Sequence, residues 1–222
     1  MAVRPIVITG EPVLHRTAAH VTDFGNPQLR ELLQDMVETN DAANGVGLAA
    51  PQIGVGLRVF IWKFANDDGV PAQGHIVNPI VTKSRVPQER PDPHEDSEGC
   101  LSVPGESFPL KRAETVHVIG FDADGNRIEF DAHGWFARVM QHEYDHLNGT
   151  LYVDRLDDRQ GKKARKAVKR NGWGSPGHSW MPGVDPDPFG HDDVAVDEDR
   201  PDVARDGAGE RGVSVPGVDG LA

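Results

Sequence analysis

The chain has 222 residues and a single cysteine, which excludes an intramolecular disulfide and, with it, the stapled secreted scaffolds. Its 23 Lys and Arg against 35 Asp and Glu give a net charge of −12, the wrong sign for a binder of DNA or anionic membrane whose affinity would come from excess cation. There is no run of ~18 or more apolar residues. The first ten residues lack the charged start and apolar stretch of a secretory signal, so a cytoplasmic, non-membrane protein is expected.

In chain order, the first helix is announced by Asn26 as N-cap and Pro27 at the first helical position. Leu29, Leu32, Leu33, Met36 and Val37 are spaced for one face, and the helix should stop near Asn44–Gly45. Apolar runs at 57–64, 75–81, 115–121 and 127–130 predict strands. The last two flank Asp124-Gly125, a hairpin signal, so they should pair antiparallel. A second helix is expected over 134–147, ending at Asn148-Gly149, and a third, basic one over 158–170. Strands followed by a helix packed among them predict an α+β fold rather than an alternating doubly wound sheet. Residues 1–170 then form one domain. Residues 171–222 contain ten Gly and six Pro and carry three basic against eleven acidic residues, a net of −8 that leaves −4 for the domain. Such a composition predicts a disordered tail, in which only the stretch around Trp173, Trp180, Met181 and Phe189 could dock.

The strongest chemical signal is Gln141-His-Glu-Tyr-Asp-His146. Four residues are just over one helical turn, so His142 and His146 project from one face and can grip one ion. Glu143, about 100° round the helix, reaches the open side of that ion and can accept a proton from water. A catalytic divalent ion usually takes three protein ligands. Proteases with this pair complete it with a downstream Glu, but none lies between Glu143 and Glu198, or with a third His, where this chain has Tyr152. That leaves Cys100, in the turn-rich Glu98-Gly-Cys-Leu-Ser-Val-Pro-Gly105, whose thiolate suits zinc or ferrous iron. The segment Gly45-Val-Gly-Leu-Ala-Ala-Pro-Gln-Ile-Gly54 has glycines at dinucleotide-fingerprint spacing but the wrong context, because a helix precedes it and Pro51 follows. It reads as a tight loop whose small residues let a substrate backbone approach, with Gln52 as a side-chain donor.

Gly45 to Gln52, Glu98 to Ser102 and Gln141 to Leu147 together resemble the three motifs of the peptide deformylases, in family order, and the resemblance covers about residues 3–160. It implies antiparallel sheets packed around a central helix that carries the HExxH motif, and one divalent ion held by Cys100, His142 and His146. That ion would natively be ferrous iron, with zinc, nickel or cobalt able to occupy the site, whereas the Cys-His-His set alone would suit zinc. The implied reaction is hydrolysis of the N-formyl group of formyl-methionine on newly made polypeptides. Glu143 would be the acid/base, Gln52 and the Leu101 N–H would sit at the formyl oxygen, and Val46, Gly47 and Gly99 would lie along the substrate backbone. A metalloprotease of ordinary peptides and a catalytically silent member of the same fold are the competing readings. The basic run Lys162–Arg170, six cations in nine residues, is either a solvated face or a contact with ribosomal RNA.

Overall fold

Asn26 starts the first helix of the computed structural model, which describes residues 2–65 and 71–190. Its side chain accepts the Gln28 N–H at 2.9 Å, satisfying one of the donors a helix start leaves open. Helix α1 (Pro27–Ala42) buries Leu29, Leu32, Leu33 and Met36. Val37, expected on the same stripe, is 41% exposed, because it lies about 100° round the helix from Met36.

The strands are β1 (Ile6–Val7), β2 (Gly47–Ala49), β3 (Val59–Ala65), β4 (Pro71–Lys83), β5 (Ser97–Cys100), β6 (Val103–Pro109), β7 (Thr115–Phe121), β8 (Arg127–His133) and β9 (Ser179–Trp180). The main sheet has the order β2-β3-β4-β7-β8, antiparallel throughout. Between β7 and β8, Asp122 Oδ1 accepts the Asp124 and Asn126 N–H groups at 2.8 Å, and Gly125 takes the left-handed φ of 84° that the turn requires.

Alternation along β3 sorts its side chains to two faces. Val59 and Ile61 join α1 in one core cluster, whereas Phe60 packs with Ile76, Val116 and Val118 against helix α2 (Gly134–Leu147). This is the expected α+β arrangement, with α2 on the sheet. A third cluster joins Cys100, Val103 and Phe108 of the β5–β6 hairpin to Leu151, Tyr152 and helix α3 (Asp158–Arg170).

Five strands, β1, β2, β5, β6 and β9, lie outside the predicted runs for physical reasons; β1 and β9 have two residues each, too few to show a period. β2 falls in the segment that the sequence reads as a loop; its three residues are too few to show a period, but all are buried, paired with Trp62–Phe60, and followed by a 3-10 turn at Ala50–Ile53. The β5–β6 hairpin contains Gly99, Pro104, Gly105 and Pro109, residues that normally argue against a strand, and it carries an irregularity between Gly99 and Cys100.

The compact unit includes the described residues up to Gly190, twenty past the boundary expected at 170. β9 pairs antiparallel with β1, Ile6 opposite Trp180, and Trp173 packs against two of the clusters. Composition averages over a segment, so its Gly and Pro content outweighed the stretch around Trp173 and Trp180, which the sequence marks as able to dock and which pins residues 171–190 down. The expectation of disorder for 191–222 lies outside the described residues. Among the described residues no helix is long and apolar enough to cross a membrane.

Candidate metal centre and active site

Helix α2 presents His142 and His146 one turn apart, and the hairpin brings Cys100 to them from 46 residues before His146 in sequence. Cys100 Sγ lies 3.3 Å from His146 Nε2, and the two Nε2 atoms lie 3.3 Å from each other. All three donor atoms fall within 4.8 Å of one another, and all three residues are buried. Donors around a tetrahedral ion with bonds of roughly 2.0–2.3 Å stand about 3.3–3.6 Å apart, so the three residues fit one ion. Tyr152, at the position where a third histidine would complete a protease site, is instead a packing residue. Its ring centroid lies 6.1 Å from that of His142, and its hydroxyl donates to the Glu106 carbonyl at 2.9 Å.

The ligands are held by buried charge. His142 Nδ1 donates to Glu98 Oε1 at 2.7 Å, which leaves the Nε2 lone pair facing Cys100 and His146. Burial alone would raise the Glu98 carboxyl, but hydrogen bonds from His142 and Arg112 outweigh it and hold the group well below the usual carboxylate range. Arg112 forks between Glu98 (Nε to Oε2 3.0 Å, NH2 to Oε1 2.5 Å) and Asp145 on α2 (2.6 Å). Arg138 adds a contact to Glu98 Oε2 at 3.0 Å. Gln141 ties α2 to the Ala113 backbone, accepting its N–H at 3.0 Å and donating to its carbonyl at 2.8 Å.

The glycine-rich segment closes the other side. Gln52 is 1% exposed, and its Oε1 accepts the Ala49 N–H at 2.8 Å, which aims the amide nitrogen at Cys100 Sγ, 3.7 Å away. Glu143 is buried, with Oε2 lacking a hydrogen-bond partner among the described residues, and burial pushes its carboxyl up to about 7. A Cβ on Gly47 would lie 2.6 Å from Glu143 Oε1, so only glycine leaves room for the carboxylate in this position.

Val46, Gly47 and Gln52 from this segment, Gly99, Cys100 and Leu101 from the hairpin, and His142 and Glu143 from α2 line one pocket; His146 joins from behind through the Cys/His/His cluster. Every candidate named from the sequence is thus brought together. The sequence reading missed Arg112, Arg138 and the anchoring role of Glu98, and it marked Trp180 and Phe189 as able to dock without placing them at the pocket. Glu98 and Asp145 did stand inside quoted motifs. Nothing local marked the arginines, whose partners lie far along the chain. Trp180 donates its indole N–H to the Leu101 carbonyl at 2.9 Å, and Phe189 lines the pocket.

A buried Cys/His/His cluster whose two histidines come from an HExxH helix, with a Glu143 oxygen that has no hydrogen-bond partner beside it, defines a metal-dependent hydrolase. The model of the polypeptide deformylase family matches residues 3–162, and the chain belongs to that family. The peptide deformylase of Mycolicibacterium paratuberculosis is 54% identical over 197 residues, covering 86% of this chain and all of that protein. That of Rhodococcus opacus is 52% identical, covering 87% of this chain and all of the relative. Among solved structures, the peptide deformylase of Legionella pneumophila superposes with a TM-score of 0.65 at 37% identity, over 77% of this chain and 96% of that one. That of Synechococcus elongatus, in complex with actinonin, gives a TM-score of 0.65 at 32% identity, over 76% of this chain and 87% of that one.

Proposed function

We propose that the protein hydrolyses the N-formyl group from the N-terminal formyl-methionine of newly synthesised polypeptides and releases formate. The observation that carries this is the shared pocket. The Cys100/His142/His146 cluster, the Glu143 carboxylate and the Gln52 amide all face the same space in a chain of the deformylase family. A divalent ion held by Cys100, His142 and His146 supplies an acidified water and a Lewis acid when bound.

The remaining work belongs to the chain. Glu143 takes the water's proton and returns it to the leaving amine nitrogen, a task suited to a carboxyl raised to about 7. Gln52 Nε2 and the Leu101 N–H donate to the formyl oxygen as charge builds there, each such donor typically contributing ~3 kcal/mol to the barrier. The Gln52 orientation supports this role, because its oxygen is already committed to Ala49. Val46, Gly47 and Gly99 flank the substrate backbone, while Trp135 and Val139 offer an apolar surface to the methionine side chain. Ferrous iron is our reading of the native ion and rests on the family resemblance; the donor set suits zinc as well. The substrate implies a cytoplasmic site of action.

Formate release from formyl-Met-Ala-Ser, with acetyl-Met-Ala-Ser as control and metal analysis of protein purified without oxygen, tests the assignment. Release from the formyl peptide alone is expected. Cleavage of an internal peptide bond without formate would favour the metalloprotease reading, and bound metal with neither product would favour a silent member of the fold.

We also infer that α3 contacts ribosomal RNA. It turns Gly161, Ala164 and Ala167 inward and leaves Lys162, Lys163, Arg165, Lys166, Lys169 and Arg170 exposed as one cationic face. Replacing the four lysines with Gln should lower co-sedimentation with ribosomes and flatten its salt dependence. Equal sedimentation at several salt concentrations would reject the contact.

A further inference from the structure

The segment after α3 lies beyond the residues that the family model matches, yet it reaches the pocket. Its course is set by several separate anchors. The Gly174 N–H donates to the Thr9 carbonyl at 3.1 Å, and the Ile8 N–H to the His178 carbonyl at 3.0 Å. β9 pairs with β1, and Trp180 Nε1 donates to the Leu101 carbonyl at 2.9 Å. The chain then turns, with the Met181 N–H donating to Asp185 Oδ2 at 2.6 Å and the Phe189 N–H to Asp187 Oδ1 at 2.8 Å. It lays the Pro188 carbonyl over Gly105, where φ is +70° and a Cβ would meet that oxygen at 2.8 Å. Phe189 is thereby seated over Gly99, its ring 3.7 Å from where a Cβ on that glycine would stand.

Side chains along β5 alternate. Glu98 and Cys100 point inward to the arginines and the metal cluster, and Gly99 faces outward. Phe189 therefore stands on the side of the pocket away from α2. A substrate backbone extended along Gly99 has successive side chains on opposite sides. If the methionine side chain enters between Trp135 and Val139, the next side chain emerges toward Phe189.

We propose that Phe189 is a specificity-determining residue, whose ring forms the outer wall of the pocket over Gly99 and selects an apolar side chain on the residue following the formylated methionine. This rests on the deformylase reading above. The measurement is kcat/KM for formate release from formyl-Met-Leu-Ser and formyl-Met-Ala-Ser, by the metal-loaded full chain and by Phe189→Ala and Phe189→Leu. Wild type should prefer the leucine peptide by about fivefold, the scale of one partly buried apolar contact. In Phe189→Ala the preference should fall to less than about twofold, through KM on the leucine peptide rather than kcat, and Phe189→Leu should keep most of it. An unchanged preference in Phe189→Ala, or an equal loss on both peptides, overturns the assignment. Phe189→Gln keeps side-chain length without the apolar face and supplies the same comparison if the alanine variant does not fold.

Calorimetric titration of the unformylated peptides Met-Leu-Ser and Met-Ala-Ser separates the two layers. No formate from wild type, together with a binding preference that depends on Phe189, would refute the deformylase reading and leave Phe189 in its role. Formate release with no preference in either measurement would refute the role of Phe189 alone.

Discussion

Gly47 and Glu143 show how little space the chemistry has. A methyl group at position 47 would stand 2.6 Å from Glu143 Oε1 and 3.0 Å from its Cδ, so the carboxylate would have to swing aside. The fold need not change, because the displaced atoms are the far end of a side chain. The proton relay would lose its geometry, and misplacement of about 1 Å can cost on the order of 10²-fold in rate. Gly47→Ala is therefore expected to keep its metal and its melting temperature while kcat for formate release falls by about that factor; metal content and turnover measured on one preparation check it. The ligands themselves were legible in the sequence because chemistry narrows them: two histidines four apart need a third donor, and the usual completions are absent. Arg112 was not legible. It sits in a loop with no period to read, and its carboxylate partners are 14 and 33 residues away, so only the tertiary fold makes it the hub of a buried ion network.

Elements with their own start and stop signals were the most readable, although α1 ends at Ala42, short of the stop expected near Asn44–Gly45. α2 and α3 occupy 134–147 and 158–170, and β7 occupies 115–121, as their patterns predict. Elements held by neighbours were not, as β5 and β6 show. β4 is a mixed case: it is longer than its apolar run and bulges between Val77 and Ile80, where Asn78 takes a φ of 50°. The same strand carries His75, whose Nε2 accepts the Ala123 N–H in the β7–β8 turn at 3.1 Å. That bond needs a neutral ring. Burial lowers the His75 pKa against the opposing pull of Asp122 and Asp124. A folded-state pKa below the unfolded value of about 6.5 gives a contribution that is complete above that value and lost as pH falls through the folded one. Urea midpoints should therefore decline between pH 7.5 and pH 5, and decline less steeply in His75→Gln, which retains an acceptor without the charge. Parallel curves for the two proteins would remove His75 as a source of acid sensitivity.

Over the whole molecule, the metal cluster is a junction between units that otherwise belong to different cores. Cys100 comes from the hairpin and α3 side, and His142 and His146 from the helix that covers the sheet. An ion that binds only the assembled state stabilises it by roughly 2.7 kcal/mol at a hundred times its Kd, which for a chain of this size corresponds to about 5–10 °C in Tm. Restoring ferrous iron or zinc to chelator-treated protein should raise Tm by that order in a scanning experiment. No shift, in protein shown to bind the ion, would mean that the three residues do not act as one site.

The pairing of β1 with β9 has a consequence for how the molecule comes into being. Ile6 is made well before the strand opposite it, which contains Trp180. At roughly 5–20 residues per second, something like ten to thirty-five seconds separate the two during synthesis. Until then the N-terminal strand has an open edge, and the Leu101 carbonyl lacks its indole donor. An enzyme proposed to act on emerging chains is thus, as an emerging chain itself, late to finish: the clasp that completes it is among the last parts of the compact unit to leave the ribosome.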